Sequence, residues 1–115
     1  MVTSLGKPDT EELIEQASAG DRAAADRLLV RHQKRLKRMI RIHMDQRLAG
    51  RIDPSDVVQE TLMEASRKLP DYLRERPLPF YPWLRQLAWN HLVDLHRRHI
   101  KAQRRTVTRE EPLGL

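Results

Sequence analysis

Residues 53–61 read Asp-Pro-Ser-Asp-Val-Val-Gln-Glu-Thr, and this stretch predicts both the start of a helix and an unusually polar helix face. Asp53 can cap the helix, and Pro54 suits the first helical position, where its missing N–H costs nothing. Apolar and small side chains then recur at helical spacing and predict a face turned toward a core. The members of this apolar stripe are Val58, Thr61, Leu62, Ala65 and Leu69. The polar stripe beside it consists of Asp56, Gln59, Glu60 and Glu64.

The composition limits the fold and the class of protein. With 115 residues, 33% charged and 39% hydrophobic, the chain predicts one domain with a narrow core. The absence of cysteine excludes disulfides and thiolate metal sites. No apolar run approaches membrane length and the amino terminus lacks the apolar segment of a signal peptide, so we expect a cytoplasmic protein without membrane contact.

The charge is distributed unevenly along the chain. Residues 1–30 carry a net charge of −3, and residues 31–50 carry seven basic side chains against one acidic side chain. Residues 51–80 are close to neutral, and residues 81–115 carry a net charge of +4. This segregation favours basic surfaces for a polyanion and acidic surfaces for a different partner, although solvated helix faces would also explain it.

The hydrophobic periodicity predicts an all-α fold, a compact bundle of about four helices followed by a disordered basic C-terminal tail. The first helix is expected to begin at an Asp9 or Thr10 cap and to end at Gly20. The second is expected to run unbroken from Asp21 to near Gly50. The third should begin at Pro54 and fade before Pro70, and the fourth should begin around Pro82 or Trp83.

The expected domain organisation follows from these elements. Residues 1–9 should be a flexible N-terminus, residues 10–100 the helical domain, and residues 101–115 a linker or tail without apolar period. Four prolines within residues 70–82 predict a long loop between the third and fourth helices. Long ordered loops in small domains are often functional.

The aromatic residues are concentrated in and after this loop. Stacking of a nucleic-acid base on an aromatic ring contributes about 1–3 kcal/mol, so such a cluster can hold unstacked bases. On the fourth helix, Arg85 and Arg97 can hold phosphates, and Gln86 and Asn90 can read base edges. Every aromatic residue of the chain belongs to the cluster: Tyr72, Phe80, Tyr81, Trp83 and Trp89.

Less specific interpretations compete at several of these positions. Trp83, next to Leu84, favours a core position over contact with DNA, whereas the pattern leaves Trp89 open between an exposed stacking role and helix packing. His91, His96 and His99 share a helix, but their spacing does not converge on a metal ion. No catalytic motif or cofactor-binding loop appears, so we expect neither an enzyme nor a cofactor.

Two strings together resemble region 2 of bacterial sigma factors, in the extracytoplasmic-function class of the sigma-70 family. The first is Asp56-Val57-Val58-Gln59-Glu60-Thr61, and the second is Phe80-Tyr81-Pro82-Trp83-Leu84. Ala88, Asn90 and the string Asp94-Leu95-His96-Arg97-Arg98 follow them. The resemblance covers roughly residues 10–100 and implies a transcription initiation factor.

The resemblance implies two partners. Asp56, Gln59 and Glu60 would contact the coiled coil of the β′ clamp of core RNA polymerase. The loop and the fourth helix would bind the non-template strand of the promoter minus-ten element and help to melt it. The DNA-binding residues implied are Tyr72, Arg74, Phe80, Tyr81, Arg85, Gln86, Trp89, Asn90, Arg97 and Arg98. An anti-sigma factor would be a further partner, and the basic second helix would lie near polymerase or the nucleic-acid backbone.

The sequence departs from the family pattern at two points. Trp89 stands where members often carry a basic residue, so stacking would replace a phosphate contact there. The second domain, which reads the minus-thirty-five element, has no counterpart, so we expect either a fragment or a truncated regulator. The alternatives are a stand-alone helical DNA-binding regulator that does not engage polymerase, and a partner-sequestering interaction module.

Overall fold

The computed structural model describes the backbone of residues 9–110 and the side chains of residues 9–105, and within these limits the chain contains helices and no strand. The predicted all-α fold is therefore confirmed. The predictions for residues 1–8 and 111–115 lie outside the described residues. The helices are α1 (Thr10–Ser18), α2 (Arg22–Arg31), α3 (Gln33–His43), α4 (Gln46–Ala49), α5 (Pro54–Glu75) and α6 (Phe80–Glu110).

Aspartate caps begin three of these helices at the predicted positions. Asp9 accepts the N–H of Glu12 at 2.8 Å, and the side chain of Asp21 accepts the N–H of Ala24 at 3.1 Å. Asp53 caps α5 by accepting the N–H of Ser55 at 2.9 Å. Each such cap stabilises a helix by about 1 kcal/mol, because it satisfies an N–H that has no partner within the helix.

The prediction of one continuous helix from Asp21 to Gly50 is wrong. The chain leaves regular helix at His32, which separates α2 from α3, and again at Met44, whose backbone is extended. Neither break contains glycine or proline, so local propensity does not cause them. At the second break Met44 is buried and the N–H of Asp45 donates to Nε2 of His96 on α6 at 3.3 Å. Tertiary contacts therefore turn the chain there.

The predicted long loop over residues 70–82 is also wrong. Helix α5 continues through Pro70 to Glu75, and α6 begins at Phe80, so only residues 76–79 connect the two helices. Pro82 lies in the first turn of α6, where a helix N–H has no intrahelical partner to lose. Pro70 removes one N–H from α5, but burial of the side chains on either side of it holds the helix together. Those flanking side chains are Leu69 and Tyr72, at 4% and 3% exposure.

The expected tail over residues 101–115 is helical in its first part. Helix α6 continues to Glu110 instead of ending near residue 100. No glycine or proline occurs between residues 101 and 110, and residues 101–105 are Lys, Ala, Gln, Arg and Arg, all favourable in helices, so local propensity continues the helix beyond the apolar stripe. The apolar period, on which the prediction was based, marks where packing ends and not where the helix ends.

The core lies between α5 and the helices around it. Helix α5 packs against α3 and α6, while α1 and α2 pack against each other and against α5. Leu28, Leu36 and Leu84 are fully buried. Burying each leucine contributes about 1.5–3 kcal/mol, because its apolar surface leaves water. The predicted stripe of α5 is confirmed, with Leu62 only half-buried and Val57 added to the buried set.

Arg76 ends α5 in the left-handed region of backbone conformation, with φ +43°. Its N–H donates to the C=O of Tyr72 at 2.7 Å, which closes the last turn of the helix. Glycine is the usual residue in this position, because a side chain there crowds the following carbonyl. The partner of the Arg76 side chain is Glu11, at 3.8 Å in an exposed setting.

We therefore expect Arg76→Gly to raise the free energy of unfolding by about 0.5–1 kcal/mol, since relief of the left-handed conformation exceeds the loss of an exposed ion pair. Urea denaturation monitored by circular dichroism measures the change. The matched control is Arg67→Gly, in the exposed middle of α5, which should lower the same quantity by about 1 kcal/mol. A loss of stability in both variants would contradict the assignment of strain to Arg76.

Candidate functional site

An aromatic cluster joins α5, the connecting loop and the start of α6. The ring of Tyr72 lies 4.6 Å from that of Trp83 and 5.7 Å from that of Phe80. Tyr72 and Phe80 are each only 3% exposed. The prediction that these two rings stack on nucleic-acid bases is therefore corrected: their faces are covered by other core side chains. Trp83 is half-buried and packs against the core, as its position next to Leu84 predicted.

The hydroxyl of Tyr72 fixes the connecting loop. It donates a hydrogen bond to the C=O of Leu78 at 2.7 Å. Leu78 is 44% exposed and its side chain forms part of a surface groove. A buried ring on α5 thus sets the position of an exposed loop residue.

The groove lies between α3 and the first turns of α6 and has a volume of about 590 Å³. Tyr81, at 9% exposure, forms part of its wall, and the guanidinium carbon of Arg35 lies 3.8 Å from the centre of that ring. We call this the Tyr81 groove. Its lining combines apolar side chains, an amide and several cationic groups. The lining residues are Arg35, Arg38, Met39, Ile42, His43, Leu78, Tyr81, Pro82, Arg85 and Gln86.

Trp89 lies one turn beyond the groove and is 37% exposed. The His43 ring contacts it edge-on at 5.2 Å, and the guanidinium carbon of Arg85 lies 5.8 Å from its ring. Trp89 therefore packs against α3 and is still partly accessible. The sequence left an exposed stacking role and helix packing open, and this position is compatible with both. The Nε2 amide of Gln86 donates to Oδ1 of Asn90 at 3.1 Å on the same exposed side.

The remaining predicted DNA-binding residues do not join this groove. Arg74 is exposed near the end of α5 and pairs with Asp71. Arg97 is exposed farther along α6. Arg98 is exposed and pairs with Asp94 one turn before it on α6.

The acidic stripe of α5 is divided. Asp56, Gln59 and Glu60 are exposed, as predicted. Glu64 is half-buried and engaged within the fold: it pairs with Lys68 at 2.7 Å and with Nε2 of His91 on α6 at 2.7 Å. The hydrogen bond from Lys68 is the main cause that lowers the pKa of the Glu64 carboxyl. Glu64 thus helps to hold α6 on α5, and the exposed polar stripe ends at Glu60.

His32 links the α2–α3 break to the aromatic cluster. Its ring lies 5.3 Å from that of Phe80 and 5.8 Å from that of Tyr81, and its Nε2 lies 3.4 Å from Oγ1 of Thr10. Burial is the main cause that lowers the pKa of His32, and the charges of Arg31 and Arg35 add to it. The uncharged imidazole is therefore the form that packs against these rings.

Several lining residues were not found from the sequence. Ile42 and His43 lie near the end of α3, and Leu78 lies in the loop, without a motif that marks any of them. The spacing of Arg35, Arg38 and Ile42 indicates one flank of a helix. Nothing in that spacing reveals that α6 lies opposite.

Two further observations describe the chain as a whole. No helix within residues 9–110 is long and apolar enough to cross a membrane. Among the side chains of residues 9–105, no group of three His, Asp or Glu residues converges in a way that could hold a metal ion.

Comparison with known proteins places this geometry in context. The family model of sigma-70 region 2 matches residues 28–104, about two thirds of the chain. The fold is also similar to the NMR structure of an engineered region 2 of sigmaE in complex with GTAAAA. That similarity has a TM-score of 0.60 and 26% sequence identity, and it covers 92% of this chain and 97% of the other. No curated protein is significantly similar in sequence.

The Tyr72–Leu78 hydrogen bond generates a prediction about the loop. Tyr72→Phe keeps the ring packing but leaves the Leu78 carbonyl without this donor, so the free energy of unfolding should fall by about 1 kcal/mol. The amide of Leu78 should exchange with solvent faster than in the wild type. Hydrogen exchange followed by NMR measures this.

Tyr81→Phe is the matched control, because the Tyr81 hydroxyl forms no hydrogen bond among the side chains of residues 9–105. It should leave the exchange rate of Leu78 unchanged. Equal acceleration in both variants would show that the hydroxyl of Tyr72 does not position the loop.

The environment of His32 generates a pH prediction. Its folded pKa lies below the ordinary value of 6.5, so the unfolded chain binds a proton more readily than the folded chain. The stability contributed by neutral His32 is therefore fully present above pH 6.5 and is lost as the pH falls through 6.5 toward the folded pKa. The free energy of unfolding of the wild type should fall toward that of His32→Gln as the pH drops from about 7.5 to about 5.5.

Urea denaturation at a series of pH values measures the difference between the two proteins, which cancels the titration of groups that they share. Above about pH 7.5 the difference should be constant, because His32 is neutral in both folded and unfolded chains. A difference that stayed constant down to about pH 5.5 would contradict the lowered pKa.

Proposed function

The chain belongs to the sigma-70 region 2 family, a family of non-enzymatic transcription initiation domains, and we propose that it binds core RNA polymerase and the promoter minus-ten element. Within this proposal, residues 10–100 are the functional domain and any linker begins beyond them. The extracytoplasmic-function class is consistent with the similarity to sigmaE region 2. The observation that carries the proposal is the Tyr81 groove, which joins cations, an amide and accessible apolar side chains at the start of α6.

The chemistry of this groove suits single-stranded DNA. Arg38 and Arg85 can neutralise phosphates on either side, while Leu78 and the exposed part of Trp89 offer surfaces for unstacked bases. Gln86 also lines the groove and can read a base edge. The similar sigmaE region 2 is described in complex with GTAAAA, which supports a nucleic-acid ligand of that kind here.

The exposed carboxylate face of α5 supports the second part of the proposal. Asp56, Gln59 and Glu60 point away from the core, and within residues 9–105 no ion pair uses Asp56 or Glu60. The proposed contact is the coiled coil of the β′ clamp. The buried apolar stripe of α5 fixes the helix backbone that carries the polar stripe. A partner therefore meets a preformed surface and does not have to order a loop.

The DNA-binding part predicts a specific salt effect. Arg38→Ala or Arg85→Ala should weaken binding of a fluorescent GTAAAA strand and reduce the slope of log affinity against log salt by about 0.7 for each phosphate that the variant no longer neutralises. Fluorescence anisotropy over a salt series measures both. Arg22→Ala, which removes an exposed arginine at the start of α2, is the matched control and should change neither quantity.

This chain can prefer a different promoter sequence from GTAAAA. If the wild type binds the GTAAAA strand weakly, the same measurements are made with a library of single-stranded hexamers. Loss of affinity equal in Arg22→Ala and in the groove variants would show non-specific charge attraction. Tight binding of closed duplex by the isolated domain would favour the alternative function, a stand-alone DNA-binding regulator.

The polymerase-binding part predicts a different pattern. Gln59→Ala should weaken and Glu60→Arg should abolish binding to bacterial core RNA polymerase, because a reversed charge opposes a basic partner surface. Surface plasmon resonance with immobilised core polymerase measures this. Glu15→Arg makes the same charge change on the exposed side of α1 and should bind as the wild type does. Unchanged binding by Glu60→Arg, with its helix content retained, would sink the proposed contact.

A further inference from the structure

A second groove runs along the other side of α3. It lies between the α1–α2 pair and the start of α3 and has a volume of about 1030 Å³. We call it the Val30 groove. It shares no lining residue with the Tyr81 groove. The lining residues are Leu13, Asp26, Arg27, Val30, Arg31, Gln33, Lys34 and Lys37.

The two grooves divide the basic side chains of α3. Successive helix residues are about 100° apart, so the four side chains cross the exposed arc of α3 in the order Lys37, Lys34, Arg38, Arg35, and the division between the grooves falls between the i,i+4 neighbours Lys34 and Arg38. The lining of the grooves agrees with this division. The basic run of residues 31–41, which the sequence presents as one patch, therefore borders two grooves, one at each edge of its exposed arc.

The Val30 groove is strongly cationic. Arg27, Arg31, Lys34 and Lys37 line it against a single carboxylate, that of Asp26. Arg27, Lys34 and Lys37 are members of no ion pair within residues 9–105. An excess of cations over carboxylates in one groove favours an anionic ligand.

An exposed aliphatic side chain lies among these cations. Val30 is 60% exposed, although the residue before it, Leu29, is 5% exposed. Phosphates gain nothing from an aliphatic surface, so a phosphate ligand would not explain an exposed valine among these cations. A protein helix with an apolar stripe flanked by carboxylates satisfies both the aliphatic centre and the cationic rim.

We propose that the Val30 groove docks an acidic amphipathic helix of a protein partner. Apolar side chains of that helix cover Val30 and the aliphatic stems of the surrounding lysines and arginines. Its Asp and Glu side chains pair with Arg27, Lys34 and Lys37. Because these residues take no part in the Tyr81 groove or in the polar stripe of α5, docking here is compatible with the proposed binding of DNA and polymerase.

The test uses the full chain and a fluorescent synthetic peptide with helical leucine spacing and glutamates on both flanks of the leucine stripe. Its binding is measured by anisotropy, and its site is mapped by amide chemical shifts in NMR. A peptide of the same composition with scrambled order is the control ligand. We expect the patterned peptide to shift the amides of residues 27–37 and the scrambled peptide to bind more weakly.

Two pairs of charge reversals separate the two grooves. Lys34→Glu with Lys37→Glu should weaken binding of the patterned peptide by about fivefold or more, since two exposed ion pairs are lost, and should weaken GTAAAA binding less than it weakens the peptide. Arg35→Glu with Arg38→Glu should do the reverse. Val30→Asp should weaken binding of the patterned peptide without affecting binding of GTAAAA. Circular dichroism establishes that each variant remains folded.

The proposal is overturned if the patterned and scrambled peptides bind equally, if neither binds, or if the shifted amides lie outside residues 27–37. It is also overturned if Lys34→Glu with Lys37→Glu weakens binding of DNA but not binding of the peptide, because the Val30 groove would then be a surface that binds nucleic acid. Failure of the DNA or polymerase proposals leaves this outcome unaffected, since the peptide assay involves neither partner.

Discussion

Burial of Phe80 between His32 and Tyr72 is the contact on which the rest of the structure depends. It brings together the α2–α3 break, the end of α5 and the beginning of α6. Trp83 also packs in this cluster, and the Tyr72 hydroxyl donates a hydrogen bond from it to the carbonyl of Leu78. Because aromatic side chains bury large areas and prefer tilted or edge contacts, the cluster fixes angles as well as distances between the helices. The position of the Tyr81 groove follows from these angles.

Helices α3 and α5 contribute to the surface in different ways. Helix α3 is covered by the core on one side only, so its two basic flanks border two separate grooves. Helix α5 is enclosed by the others along its apolar stripe, and Asp56, Gln59 and Glu60 reach solvent on another side of it. The exposed cations of α3 and the exposed carboxylates at the start of α5 therefore lie on different elements. This separation allows anionic and basic partners to approach the domain from different directions.

Sequence patterns predicted the elements that depend on neighbours along the chain. The caps at Asp9, Asp21 and Asp53 and the apolar stripe of α5 require only a few adjacent residues, and they are where the sequence placed them. Breaks decided by distant contacts were missed. The chain turns at His32 and Met44 without glycine or proline, and Pro70 is accommodated within α5 because buried side chains flank it.

The sequence by itself determined the all-α class, the exposed polar stripe of Asp56, Gln59 and Glu60, and the concentration of aromatic residues in residues 72–89. Only the tertiary structure decided which of those aromatics face inward. Tyr72 and Phe80 lie in the core, whereas Leu78, Ile42 and His43 line the Tyr81 groove. The physical reason is that helical period predicts which side chains of one helix share a face. Whether that face meets a neighbour or water depends on helices far apart in sequence.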